Sequence, residues 1–142
     1  MIMSQLYPYI FQTKRKKRCV VVTCVGGELH EIGARMVADF FEMDGWDSHF
    51  IGANTPLESL LNYLVECRAD ILALSATMVF HVSKVAEIIA AVYNHSSLSN
   101  LRVIVGGYPF NTSPGLWQQV GADGYASNAQ TALLEAERML QR

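Results

Sequence analysis

No apolar run in this sequence approaches the ~20 residues that cross a membrane. The amino terminus lacks the basic, apolar, small-residue order of a secretion signal. Only three cysteines occur, Cys19, Cys24 and Cys67, and none form a Cys-x-x-Cys pair. Their odd count argues against a closed disulfide framework and suits a reducing, cytoplasmic setting. Neither sign of charge dominates: the net charge is −2, so nothing global points to nucleic acid or membrane as a partner. The one exception, Lys14-Arg15-Lys16-Lys17-Arg18, reads as a solvated lead-in to the first strand. Both Gly-x-x-x-x-Gly-Lys-Ser/Thr and Gly-x-Gly-x-x-Gly are missing, which removes the two common phosphate-cradling loops. There is no internal repeat and no low-complexity tract.

What is present is 142 residues, 51% of them apolar, enough for one compact domain with a single core. Strand-length apolar runs alternate with helix-period segments. Strands are expected at 19–25, 48–51, 71–75 and 102–105, with a short fifth near 124–126. Ile32, Met36, Val37, Phe40 and Phe41 make one helical stripe, Leu57, Leu60, Leu61, Leu64 and Val65 a second, and Val82, Val85, Ile88, Ile89 and Val92 a third. Thr55-Pro56 reads as a helix start with proline in the first turn, and Asn128 as the cap of a closing helix that runs to Leu140. Successive β-α units imply an α/β, doubly wound, five-stranded parallel sheet of the flavodoxin-like (Rossmann-like) kind, in the order 2-1-3-4-5. Residues 1–18 stand outside the alternation. They are read as a linker or N-terminal extension that either packs on the sheet edge or ends a link from an upstream domain.

Ligands of such sheets sit beyond the carboxyl ends of the strands. Three clusters fall there: Gly26-Gly27-Glu28-Leu29-His30 after the first strand, Ser75-Ala76-Thr77 after the third, and Gly106-Gly107-Tyr108 after the fourth. Paired glycines let a bulky ligand approach the backbone, and the Ser75 and Thr77 hydroxyls can bond a ligand's nitrogen or phosphate. A carboxylate two residues before His30 can hold its second ring N–H and sharpen the other nitrogen as a metal ligand. Each cluster also has a plain structural reading, as a helix cap, a strand end or a tight turn. Other chemistry fits less well. His30-Glu31 opens like a zinc-protease helix, but Ala34 stands where a second histidine belongs. His49, His81 and His95 have no ligand spacing to His30, so no structural zinc site is expected. Cys24 falls inside a strand, where a thiol is inert.

Taken in order, Glu28-x-His30-x-x-Gly33, Ser75-x-Thr77 and Gly106-Gly107 resemble the Asp-x-His-x-x-Gly…Ser-x-Leu…Gly-Gly signature of cobalamin-binding domains. Gly52-Ala53-Asn54-Thr55-Pro56 and Gly121-Ala122-Asp123-Gly124-Tyr125 extend the likeness, which covers residues 19–142. The chain departs from the signature at Glu28, one methylene longer than aspartate, and at Thr77, polar where leucine is commoner. The resemblance implies a corrinoid bound with its own base off the cobalt. His30 would be the lower axial metal ligand and Glu28 its partner. The cofactor would be surrounded by Gly27, Leu29, Glu31, Ile32, Gly33, Ser75, Thr77, Val79, Gly106, Gly107, Tyr108, Asn128 and Ala129. It also implies a helical cap, from an upstream segment or a partner protein, over the upper face; an oligomer is compatible with it.

The expected function is a non-catalytic, sensory or regulatory cobalamin-binding module of a larger protein. The alternative is a corrinoid methyl carrier of a methyltransferase system, cycling Co(I) and methyl-Co(III). A haem-binding sensor on His30 is a lesser alternative, as is a domain whose cofactor site has decayed.

Overall fold

The computed structural model describes residues 17–26 and 31–141. Five parallel strands, β1 (Cys19–Val25), β2 (Asp47–Ile51), β3 (Ile71–Ala76), β4 (Arg102–Gly106) and β5 (Gly124–Tyr125), form one sheet in the order β2-β1-β3-β4-β5. This is the expected flavodoxin-like order, and each strand lies within two residues of its expected bounds. The helices are α1 (Glu31–Met43), α2 (Leu57–Glu66), α3 (Val82–Tyr93), the short α4 (Tyr108–Thr112) and α5 (Leu116–Gln119), and α6 (Ala129–Leu140). Among the described residues, no helix is long and apolar enough to cross a membrane.

β1 shows why its sequence carries no polar alternation. It lies between β2 and β3 with both faces covered, and all seven residues are buried. Val21 and Val25 join the core under α2 and α3, while Val20, Val22 and Cys24 join the core under α1 and α6. Thr23 is the one buried polar residue of the strand, and its hydroxyl donates to Ile51 O at 2.8 Å.

Two aspartates tie the amino ends of the strands. Cys19 N donates to Asp70 Oδ2 at 2.9 Å while Asp70 N donates to Cys19 O at 2.8 Å. Val103 N and Asp123 repeat the arrangement between β4 and β5, at 2.8 and 2.9 Å. Each carboxylate accepts the strand-entry amide that the parallel ladder would otherwise leave unpaired.

The second and third helical stripes are buried as expected, centred on Leu60 and Leu64 in α2 and on Val85, Ile88, Ile89 and Val92 in α3. The first is rotated. In α1 the buried residues are Ala34, Ala38 and Phe41, whereas Ile32, Met36 and Phe40 are 70%, 53% and 38% exposed. The small alanines bring α1 close to the sheet and to α6, which presents Ala132 and Ala136 to the same core. Pro56 stands one position before the expected first turn, as the N-cap residue of α2, where its missing N–H leaves no bond unmade. Asn128 caps α6 as expected: Thr131 N donates to Asn128 Oδ1 at 2.9 Å, and Asn128 N donates to Thr131 Oγ1 at 3.1 Å. Of the basic run, Lys17 and Arg18 are described. Arg18 is more than a solvated lead-in, since it pairs with Glu137 of α6 at 2.9 Å and lies 5.8 Å from the Trp46 ring.

Candidate cofactor cleft

A cleft of about 300 Å³ opens at the carboxyl edge of the sheet, between α1 and the start of α6. Its floor is Val22, Ala73 and Ile104, from three adjacent strands in register. One wall is Gly33, Ala34, Met36 and Val37 of α1; the other is Asn128, Ala129 and Ala132 of α6. Ser75, Gly106, Gly107, Ala126 and Ser127 form the rim. Gly33 and Ala34 on one wall and Ala129 and Ala132 on the other project little side chain into the space between them.

The glycines of the cleft do different work. A Cβ on Gly33 would meet no atom within 4 Å, so this glycine leaves volume open. Gly107 has φ +110°, and a Cβ there would lie 1.8 Å from Ala76 O; it is glycine because the β4–α4 turn lies against the end of β3. At Gly106 a Cβ would approach Ala126 O to 2.8 Å. The glycine pair after β4 is thus a packing requirement as well as a rim.

Of the residues expected around a cofactor, the fold brings Gly33, Ser75, Gly106, Gly107, Asn128 and Ala129 together in this cleft. Thr77, Val79 and Tyr108 are not part of its lining; Val79 and Tyr108 project to solvent on the same edge of the sheet, with Met78 and Phe80 exposed beside Val79. Glu31 turns toward β2, its Oε1 3.4 Å from Ala53 N and its Oε2 3.5 Å from Arg35. Ile32 faces solvent. Gly27, Glu28, Leu29 and His30 lie outside the described residues. Gly26 at the end of β1 and Glu31 at the start of α1 flank them at the carboxyl edge.

The sequence reading missed the floor residues and the α1 wall of Met36 and Val37. The signal was available: strand parity sends Val22, Ala73 and Ile104 to one face, and Gly33, Met36 and Val37 share one side of a helix. It also passed over His81. This ring lies against Gly26, where an added Cβ would come within 2.8 Å of its Cε1, and its Nδ1 is buried without a hydrogen bond. It borders a second pocket of about 340 Å³, on the α2–α3 side of the sheet, with Thr23, Asn54, Thr55 and Lys84. Cys24 is buried as expected, and desolvation followed by the nearby Glu31 charge pushes its thiol pKa up, away from nucleophilic use.

Comparison with known proteins accords with this arrangement. Residues 18–134 match the profile of the B12 binding domain family. A dimethylamine corrinoid protein of Methanosarcina acetivorans is 31% identical over 130 residues, a match covering 90% of this chain and 59% of that protein. A corrinoid protein of Desulfitobacterium hafniense is 29% identical over 121 residues, covering 85% and 55%. The chain therefore spans a little over half the length of these relatives. Among solved structures, a cobalamin-binding protein from D. hafniense superposes with a TM-score of 0.78 at 26% identity, covering 87% of this chain and 59% of that one. The monomethylamine corrinoid protein of Methanosarcina barkeri shares the fold, with a TM-score of 0.74 at 22% identity, covering 98% and 64%.

Proposed function

This chain belongs to the B12 binding domain family, and from that premise we propose that it holds a corrinoid base-off, with the nucleotide tail in the α1–α6 cleft, and serves as a methyl carrier. The observation that carries the reading is the cleft itself. It is apolar along its floor, open at Gly33, and lies at the same carboxyl edge as Gly26 and Glu31. A slender, partly polar tail fits such a space; the cleft offers little to a compact haem, which the relatives named above do not favour either.

When bound, a corrinoid supplies a cobalt centre that accepts a methyl group and gives it up again. The chain's residues would hold and tune it. His30 would be the ligand to its cobalt, and Glu28 would accept the N–H of the other ring nitrogen and so fix the tautomer. The Ser75 hydroxyl serves the polar atoms of the tail. So does the start of α6, whose first turn carries no acidic residue to offset its partial positive charge. The exposed Met78, Val79, Phe80 and Tyr108 give the edge an apolar surface suited to a broad ring.

The carrier role stands ahead of a sensory one because relatives at 29–31% identity are named dimethylamine corrinoid proteins. A helical cap and a partner methyltransferase belong to the same proposal. The test is to load the purified chain with corrinoid, reduce it, and add methylamines or methanol with their methyltransferases. Conversion of the reduced to the methylated visible spectrum is expected with at least one donor. No methyl uptake, together with light-driven change of oligomeric state on adenosylcobalamin, would replace this reading with the sensory one.

A further inference from the structure

At the amino edge of the sheet, opposite the cleft, parallel pairing assembles a group of side chains that sequence spacing gives no hint of. Cys19 and Asp47 are the first residues of β1 and β2 and are register partners. His49, two residues along β2, lies on the same side as Asp47. Cys19 Sγ, an Asp47 carboxylate oxygen and a ring nitrogen of His49 all lie within 4.8 Å of one another. Cys67 follows the end of α2, close enough for its thiol to act on that of Cys19. Cys19 is buried, Cys67 and His49 are half-buried, and the Asp47 side chain is 64% exposed, which leaves a path of entry.

The imidazole is oriented as a metal ligand requires. Tyr63 Oη lies 2.7 Å from His49 Nδ1. In the tautomer whose Nδ1–H donates to that oxygen, Nε2 carries the free lone pair a metal needs. Nε2 is buried and has no hydrogen bond; Asp47 Oδ2 comes within 3.1 Å of it but outside hydrogen-bond alignment. Asp70 is already engaged by the Cys19 amide and stands behind the site. Desolvation, then Cys67, Asp47 and Asp70, push the Cys19 thiol pKa up, as expected where several potential anions meet without a cation.

We propose that Cys19, Asp47, His49 and Cys67 form a binding site for one thiophilic divalent cation, zinc by ligand chemistry. Two sulfurs, one imidazole and one carboxylate are a tetrahedral zinc set, and soft thiolates exclude magnesium and calcium. Ligand atoms around tetrahedral zinc stand ~3.5 Å apart, so Cys19, Asp47 and His49 need only side-chain adjustment to close on the ion, while Cys67, outside that 4.8 Å group, would swing in as the fourth ligand. Bound there, the ion joins the starts of β1 and β2 to the end of α2. The site shares no residue with the corrinoid cleft and does not depend on how that cleft is used.

The test uses the full chain, stripped of metal and kept reduced with a phosphine, titrated with zinc chloride against a chromophoric chelator. One zinc per chain is expected, together with near-ultraviolet thiolate-to-metal absorption when cadmium replaces zinc. His49→Ala and Cys67→Ser should each weaken zinc at least ~100-fold, and Asp47→Asn at least ~10-fold, with far-ultraviolet circular dichroism unchanged. Zinc should raise the Tm of the parent chain by about 5 °C and leave that of His49→Ala unmoved. Asp47→Asn keeps the test informative should a core cysteine variant fail to fold. The proposal is overturned if the parent takes up no stoichiometric zinc, if His49→Ala binds it equally well, or if cadmium gives no thiolate absorption.

Discussion

Gly107 approaches Ala76 so closely that a Cβ on the glycine would lie 1.8 Å from the alanine's carbonyl oxygen. The backbone at Gly107 is also held at φ +110°, which L side chains rarely adopt. This contact joins the end of β3 to the turn after β4 and sets the rim of the cleft between them.

Gly107→Ala is therefore expected to destabilise the fold by about 3 kcal/mol or more, through collision and backbone strain together. Urea denaturation checks this; a loss under 1 kcal/mol would mean the turn relaxes easily. The same collision makes Gly107→Val a poor probe of cofactor access, since lost binding there would report lost structure.

Gly33 is the residue that separates the two effects. Its Cβ direction is empty and it lies within α1, so Gly33→Leu should leave stability unchanged or raise it by up to ~1 kcal/mol. Its side chain would enter the cleft, and affinity for hydroxocobalamin should fall at least tenfold. Thermal melting and a spectroscopic titration together check both signs. Unchanged affinity in a stable Gly33→Leu protein would place the tail elsewhere.

Asp123 accepts the Val103 amide at the entry of β4. Asp123→Ala should cost about 1–3 kcal/mol by leaving that amide unpaired, and Asp123→Asn, whose carbonyl can still accept, should cost less. Chemical denaturation of the two variants checks this; an equal cost in both would mean that the carboxylate's charge, and not its acceptor oxygen, is what the strand entry requires.

Asn128 caps α6 reciprocally with Thr131 and also lines the cleft. Asn128→Ala should lower stability by about 1 kcal/mol, while Asn128→Ser should restore most of it. If both variants bind corrinoid as the parent does, the residue acts on the helix alone.

The strands and their order were legible because β1, β3 and β4 are buried on both faces and read as unbroken apolar runs. The Asn128 cap was legible because its signal is local. The α1 face was not. Periodicity treats large apolar side chains as deep ones, whereas here Ala34 and Ala38 are buried and Ile32 and Met36 are exposed. The role of Asp123 was visible only as part of a motif, since its partner Val103 comes from another strand. The Cys19–Asp47–His49 group was hidden for the same reason: ligand-spacing rules look along the chain, and this group is made by register across it.

The central claim, that His30 ligates cobalt from below, is tested most directly by isotope. The chain would be grown with ¹⁵N-histidine, loaded with unlabelled cobalamin, and reduced to the Co(II) state. Its electron paramagnetic resonance spectrum would then be recorded beside that of the unlabelled protein. Histidine ligation predicts that the triplet splitting from one axial ¹⁴N becomes a doublet on labelling and disappears in His30→Ala. A triplet that survives both the label and the substitution would show the cofactor's own base on cobalt and contradict the account.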